Sequence, residues 1–270
     1  MTTTAEQTGT RQDAAPAAPA APRWHEHLPS IATLLGLAVV WEIAGHTLDY
    51  AYLPPLSDVF VRLWELVLDG TIPRELGASL TALAVGMLIA VVAGVLIGLL
   101  MGAFPLVRYT LDVYVDAVMV APVVAFVPLF ILLFGLGFQT RVATVVLFAI
   151  CPIIVNTAAG VRSVDRNLVT MARSFQATPA QTFWQVQLPM AWGHVQAGLR
   201  LGVARGVDGV ITGEVLIAVV GLGGLITRFG DAFSMDRLYA VVFVIVALVV
   251  LSTRLVDLAG RLLVRGRHER

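Results

Sequence analysis

Between Glu75 and Arg108 the chain carries no charged residue, and that single run decides which solvent the protein folds in. A helix needs ~20 mostly apolar residues to cross a hydrocarbon core ~30 Å thick. Five further stretches meet or approach that length. They are 31–48, interrupted by Glu42; 117–138; 142–161; 193–220, which holds Arg200, Arg205, Asp208 and Glu214; and 238–255, where Arg254 can snorkel to the interface. The pattern predicts an all-α membrane protein with about six transmembrane helices. Composition agrees: 58% of residues are hydrophobic and 13% charged, against roughly 45–50% and ~25% in soluble domains. So few charges would not cover a soluble surface.

The same composition removes whole classes of function. Net charge is zero, so no basic field points to nucleic acid. All 18 basic residues are arginine, and the absence of lysine excludes a phosphate-binding P-loop in this chain. Cys151 stands alone, which excludes an intrachain disulfide and a cysteine metal cluster. The histidines (His25, His27, His46, His194, His268) share no spacing or partner. Gly77-Ala78-Ser79-Leu80 lacks the closing glycine of a nucleophile elbow. No catalytic residue, metal ligand or bound cofactor is assigned.

Residues 1–27 are expected to form a disordered tail; the first 22, rich in Ala, Thr and Pro, lack the apolar stretch of a secretory signal. The transmembrane domain is expected at 28–260, followed by a basic tail at 261–270. Arginines set the orientation, because cytoplasmic loops carry their excess. With six spans, one side holds Arg11, Arg23, Arg108, Arg162, Arg166, Arg173, Arg261, Arg265, Arg267 and Arg270, and the other Arg62, Arg74, Arg141, Arg228 and Arg237. Both termini are therefore expected in the cytoplasm.

Residues 53–75 are too polar to span. Val59, Leu63, Leu66 and Val67 recur at helical spacing behind Ser57 or Asp58 as a cap, which predicts an interfacial helix on the outer side. Gly86, Ala90, Gly94, Gly98 and Gly102 repeat every four residues. Such a face lets another helix approach closely, either within one subunit or across a dimer.

The most informative stretch is the loop at about 162–192. Asp165 suits an N-cap for a short helix carrying Leu168, Met171, Ala172 and Phe175. Thr178-Pro179-Ala180-Gln181 reads as a capping box with proline in the first turn, opening a second helix through Phe183, Val186 and Leu188 that stops at Pro189. Two short helices meeting at a bend form a rigid knob able to pass force to another protein.

Here the chain resembles the binding-protein-dependent ABC importer permeases. Their loop motif reads Glu-Ala-Ala, three residues, Gly, nine residues, Ile, one residue, Leu-Pro. Ala172, Arg173, Ala177, Val186, Leu188 and Pro189 fall in register. LPPLSDV at 53–59, VAFVPLFILLFGLG at 124–137, NTAAGVRSVD at 156–165, AGLRLG at 197–202, GEVL at 213–216 and GLGGLI at 221–226 are similar to the sulfonate/taurine/nitrate branch. The resemblance implies a type I ABC importer permease fold and a homodimer with the path at its interface. It also implies separate ATPase subunits carrying ATP and Mg, and an extracellular or periplasmic solute-binding protein. The loop, with Ala172, Arg173, Phe175, Gln176, Ala177, Thr178, Leu188 and Pro189, would then dock on the ATPase as a coupling helix. The solute would be a sulfonate, taurine, nitrate or an aromatic carboxylate, with heterocyclic vitamin precursors another theme. The motif's glutamate is Thr170 here and its glycine is Gln176, which puts the bend's geometry in question.

Ionisable groups at membrane depth are costly, by ~2.5–3.5 kcal/mol on insertion scales, and mark pathways or paired structural sites. Arg205 and Asp208 are three apart and can neutralise each other, with Thr212 on their face. Glu214 points to the opposite face, at about 100° per residue, and needs a partner on another helix or water. These four are the candidates for a pathway or gate. Glu42 and Asn156 are weaker ones, and Pro122, Pro128 and Pro152 allow kinks. A second reading, a proton-coupled secondary transporter, would use Asp208 and Glu214. An intramembrane enzyme lacks a nucleophile–base pair.

Overall fold

The computed structural model describes residues 24–48, 52–217 and 219–268, which are helical almost throughout. Helix α1 covers Trp24–Thr47, α2 Leu56–Leu68, α3 Thr71–Ala103, α4 Pro105–Val120 and, after a 3-10 turn at Val123–Phe126, α5 Val127–Phe134. Then come α6 Phe138–Arg162, α7 Arg166–Ser174, α8 Pro179–Thr182, a π turn at Phe183–Gln187, α9 Leu188–Ile217, α10 Gly221–Asp231 and α11 Met235–His268. The predicted tail lies outside the described residues up to 23, and α1 already begins at Trp24. The boundary expected at 260 falls inside α11.

Among the described residues, three helices are long and apolar enough to cross a membrane unaided: α3, α6 and Met235–Gly260 of α11. The count rises to five if each of two bent pairs is one span, and Ala32–Thr47 is a shorter apolar helix. One expectation needs correcting. The stretch 117–138 is not one helix, because α4 and the segment Val123–Phe134 meet at 96°. The cause is local. Proline forces its predecessor out of the helical region, and both Ala121 (ψ 143°) and Pro122 (ψ 91°) are extended. Pro128 kinks nothing, since it sits in the first turn of α5, where a missing N–H is no loss. Among these three prolines only Pro152 lies inside a helix, and the Asn156 side-chain amide donates to its carbonyl at 2.8 Å.

Helix α6 is the centre of the bundle, with α3 along one side and α9 along the other. The glycine seam explains the closeness on the α3 side. A Cβ built at Gly86, Gly98 or Gly102 would come within 2.6 Å of Val145, Thr157 or Val161 of α6, respectively. The four-residue repeat is thus spent on packing inside one chain. On α9, Gly198 and Gly202 face Asn156 and Ile153 of α6 in the same way. Without water to expel, such seams hold helices through van der Waals contact.

The N-terminal part is tied on by aromatic and polar contacts. Trp41 of α1 donates to the Pro54 carbonyl at 3.0 Å and packs on Tyr239 and Phe243 of α11. Helix α2 starts after Pro55, and neither Ser57 nor Asp58 caps it. The Ser57 N–H donates instead to Glu42 at 3.0 Å, so the carboxylate that interrupts the first span serves the end of the next helix. Arg62 links α2 to α11 through Asp236 at 2.8 Å.

A side chain at a seam glycine should be felt. Gly98→Ala is expected to lower stability by about 1–3 kcal/mol through overpacking against Thr157 and the Ile154 carbonyl. Gly77→Ala, on the same helix with nothing within 4 Å, should be neutral or slightly stabilising. Thermal unfolding midpoints of the two variants in detergent check the contrast.

Candidate functional site

The loop between α6 and α9 is built from two helix ends joined back to back. Asp165 accepts from the Asn167 N–H at 2.8 Å and caps α7. At the other end the Ala177 N–H reaches the Ala172 carbonyl at 3.1 Å and the Gln176 N–H reaches Arg173 at 2.9 Å. This six-to-one and five-to-two pairing is a Schellman motif. It requires a left-handed residue at the bend, and Gln176 takes that role with φ +61°. Gln176 thus makes a turn that glycine would make without cost, at a strain of roughly 1–2 kcal/mol. Thr178 then opens α8 in a reciprocal capping box, with Thr178 N–H to Gln181 at 2.8 Å and Gln181 N–H to Thr178 at 3.2 Å.

Pro189 corrects an expectation. The second helix does not stop there: Leu188 and Pro189 open α9, and the π turn at Phe183–Gln187 joins it to α8. Proline has no N–H to give the carbonyl four residues back, and a wider turn accommodates the missing bond. The knob therefore runs straight into a membrane helix. At its tip Phe175 is 79% exposed, with Met171 and Trp184 also exposed. Ala172 and Ala177 are half-buried, while Arg173, Gln176 and Thr178 are exposed. A groove of about 500 Å³ lies between this loop and the end of α3, lined among others by Phe104, Arg173, Phe183 and Trp184.

The four polar residues singled out on α9 separate into two settings. Arg205 and Asp208 are both more than half exposed and lie 3.8 Å apart, with Thr212 half-buried. Arg200, also exposed, lies 3.6 Å from Asp257 of α11. Glu214 is fully buried. Asp208 and Glu214 thus do not share a surface, as a proton relay between them would require.

Glu214 sits among residues the sequence reading did not single out. Its carboxylate accepts from Ser79 Oγ at 2.8 Å and from the Gly223 N–H at 3.1 Å. Arg141 of α6 stands 3.5 Å away and donates to the Ala78 carbonyl at 3.2 Å. Ser79 Oγ in turn accepts the Leu222 N–H at 3.0 Å, and Glu75 accepts the Gly221 N–H at 2.7 Å. The first three N–H groups of α10 are thus met by side chains of α3 and α9. Glycine is required at the start of α10 twice over. Gly221 has φ +87°, and a Cβ there would overlap the Glu214 carboxyl. The GLGG run carried a signal of such close approach, but the acceptors of Gly221 and Leu222 lie more than 130 residues away on α3. Among the described residues no group of three His, Cys, Asp or Glu is placed to hold a metal ion.

Comparison with known proteins agrees with this architecture. Residues 90–268 match the family described as binding-protein-dependent transport system inner membrane component. The chain is 30% identical over 223 residues to a taurine transport system permease protein of Escherichia coli, covering 80% of this chain and 81% of that one. It is 30% identical over 236 residues to a riboflavin transport system permease protein of Chloroflexus aurantiacus, covering 86% and 88%. A putative aliphatic sulfonates transport permease protein of Escherichia coli is 30% identical over 233 residues, covering 86% and 87%. The chain belongs to the binding-protein-dependent transport system inner membrane component family, and it is a multi-pass ABC transporter permease.

Two substitutions should move stability in opposite directions. Glu214→Leu leaves Arg141, Ser79 and the Gly223 N–H without their acceptor, and removing one partner of a buried ion pair costs about 3–5 kcal/mol. Gln176→Gly removes left-handed strain but adds backbone entropy to the unfolded chain, for a net gain of about 0.5–1 kcal/mol. Unfolding midpoints of both purified variants test the signs.

Proposed function

We propose that this chain forms, as a homodimer, the membrane path of an ATP-driven importer, with separate ATPase subunits that carry ATP and Mg. A solute-binding protein on the extracellular or periplasmic face delivers the solute, and both termini lie in the cytoplasm. The arginine asymmetry supports that orientation, which puts the α7–α8 knob on the ATPase side.

One observation carries the coupling role: Phe175 stands exposed at a bend locked on both sides by helix caps. An aromatic at a rigid tip offers a large contact area at little entropic cost on docking, as interface anchors do. Ala172, Arg173, Gln176, Ala177 and Thr178 form the knob, and Leu188 and Pro189 join it to α9.

The path is assigned to the face of α9 bearing Arg205, Asp208 and Thr212. Two charged groups exposed near the middle of a membrane helix are expensive against hydrocarbon. A second subunit or a water-filled cavity beside them removes that cost. Glu214 supports that face from behind, by seating α10, and does not touch solute. Alternating access then rocks α9 against its partner as the ATPases close on the knob. The solute is a small anion of the sulfonate, taurine, nitrate or aromatic carboxylate kind, in keeping with relatives named for taurine and aliphatic sulfonates and with the free face of Arg205. Others are named for riboflavin and betaine, and binding measurements on the partner solute-binding protein decide among these.

Phe175→Asp is the direct test, because the side chain contributes almost nothing to the chain's own packing. A tagged wild-type chain should co-purify with an ATPase subunit, and the variant should insert normally but recover at least about tenfold less of it. Equal recovery removes the coupling assignment, and no ATPase with either chain removes the importer reading.

A further inference from the structure

The cluster around the start of α10 does something the pathway reading leaves unassigned. Four elements converge there: Glu75 and Ser79 from α3, Arg141 from α6, Glu214 from α9, and the Gly221–Gly223 backbone of α10. Ser79 and Glu214 have no exposure at all, and Glu75 and Arg141 very little. Leu222 and Leu225 beside them are also fully buried. Ser79 is the hinge pin of the network, since its one hydroxyl donates to Glu214 and accepts from Leu222. Separating α3 from α9 and α10 would strand this hydroxyl, the Glu75 carboxylate and the Gly221 and Leu222 N–H groups in a buried site. Each stranded group carries its own desolvation penalty, and the charged ones the largest.

We propose that Glu75, Ser79 and Arg141 are positioning residues that, with Glu214, weld α3, α6, α9 and α10 into one body that remains closed through the transport cycle. The inference rests on the reading of the chain as an alternating-access permease. The motion that opens and closes the path is then a rocking of this body, with the α7–α8 knob continuous with α9, against the second subunit. The element attached most loosely outside it is the α4–α5 arm, which turns by 96° at Ala121–Pro122. The glycine seams between α3, α6 and α9 fit the same reading, because α6 side chains seated directly on glycine backbone leave no slack to slide.

Hydrogen exchange reads the weld directly, since three of its members are amide protons. The full complex is compared by mass spectrometry in its resting state and in a nucleotide-trapped state. Peptides covering 221–225 should exchange at rates equal within about twofold in the two states, while the knob or the 120–126 segment changes. Ser79→Ala should raise exchange at 221–225 by about tenfold or more and slow uptake, with ATPase recovery unchanged. Ser79→Thr, which keeps the hydroxyl, should restore both. Deprotection of 221–225 in the trapped wild-type complex would overturn the weld and make the cluster a gate. Unchanged exchange in Ser79→Ala would show that the serine does not hold it. Both variants are also measured on the chain without ATPase, so failure of the importer reading leaves the test of the cluster standing.

Discussion

A helix that begins inside a membrane protein exposes N–H groups that no water can meet, and this chain solves that problem at one place on which its packing depends. Helix α10 starts at Gly221 in the interior, and its first three amides find Glu75, Ser79 and Glu214. In hydrocarbon every backbone polar group has to be satisfied by the protein itself. The acceptors come from two helices, so the start of α10 fixes how far apart α3 and α9 stand. Arg141 supplies the positive charge that the buried Glu214 needs, and it brings α6 to the same point. Only a chain with glycine at 221 and 223 can approach the carboxylate this closely.

Away from that point the helices are held by contact alone. Association in lipid gains little from burying apolar surface, because the alternative environment is equally apolar. Close backbone approach is the remaining source of attraction, and α6 has it on both sides. The seam of Gly86, Gly94, Gly98 and Gly102 on α3 and that of Gly198 and Gly202 on α9 leave α6 fitted between two helices. Elements without seams, such as α4, α5 and α1, are attached through fewer and more local contacts. The molecule therefore divides by its glycines into a tight centre and a looser margin.

Local chemistry was legible in the sequence, and long-range pairing was not. Asp165 and the Thr178–Gln181 box cap helices as their spacing predicted, because a cap acts over three residues. The glycine repeat announced a close neighbour without naming it. The helical angle of Glu214 put it opposite Arg205 and implied a partner on another helix, yet Ser79 looked like an ordinary small residue in an apolar run. Nothing local marks Ser79 or Glu75, since their partners are more than 130 residues away. Prolines misled twice for one reason. Pro122 breaks a span that hydropathy reads as continuous, and Pro189 opens a helix that it was expected to end. A proline is compatible with a kink, a stop or a first turn, and only the surrounding hydrogen bonds choose among them.

Helix α9 joins the two proposed roles in one rigid piece. Its first residues continue the knob through a π turn, its middle carries Arg205 and Asp208 on an exposed face, and its last turn holds Glu214 in the cluster with α10. A displacement at Phe175 therefore reaches the charged face without crossing a flexible linker. The left-handed bend at Gln176 matters for the same reason. A bend fixed by two backbone hydrogen bonds and followed by a capping box passes on a push, whereas a loose one would absorb it. The strain stored at Gln176 is small beside what the two caps and the continuous helix secure. A glutamine at this bend is thus compatible with force transmission, because the turn depends on the dihedral and not on the residue that adopts it.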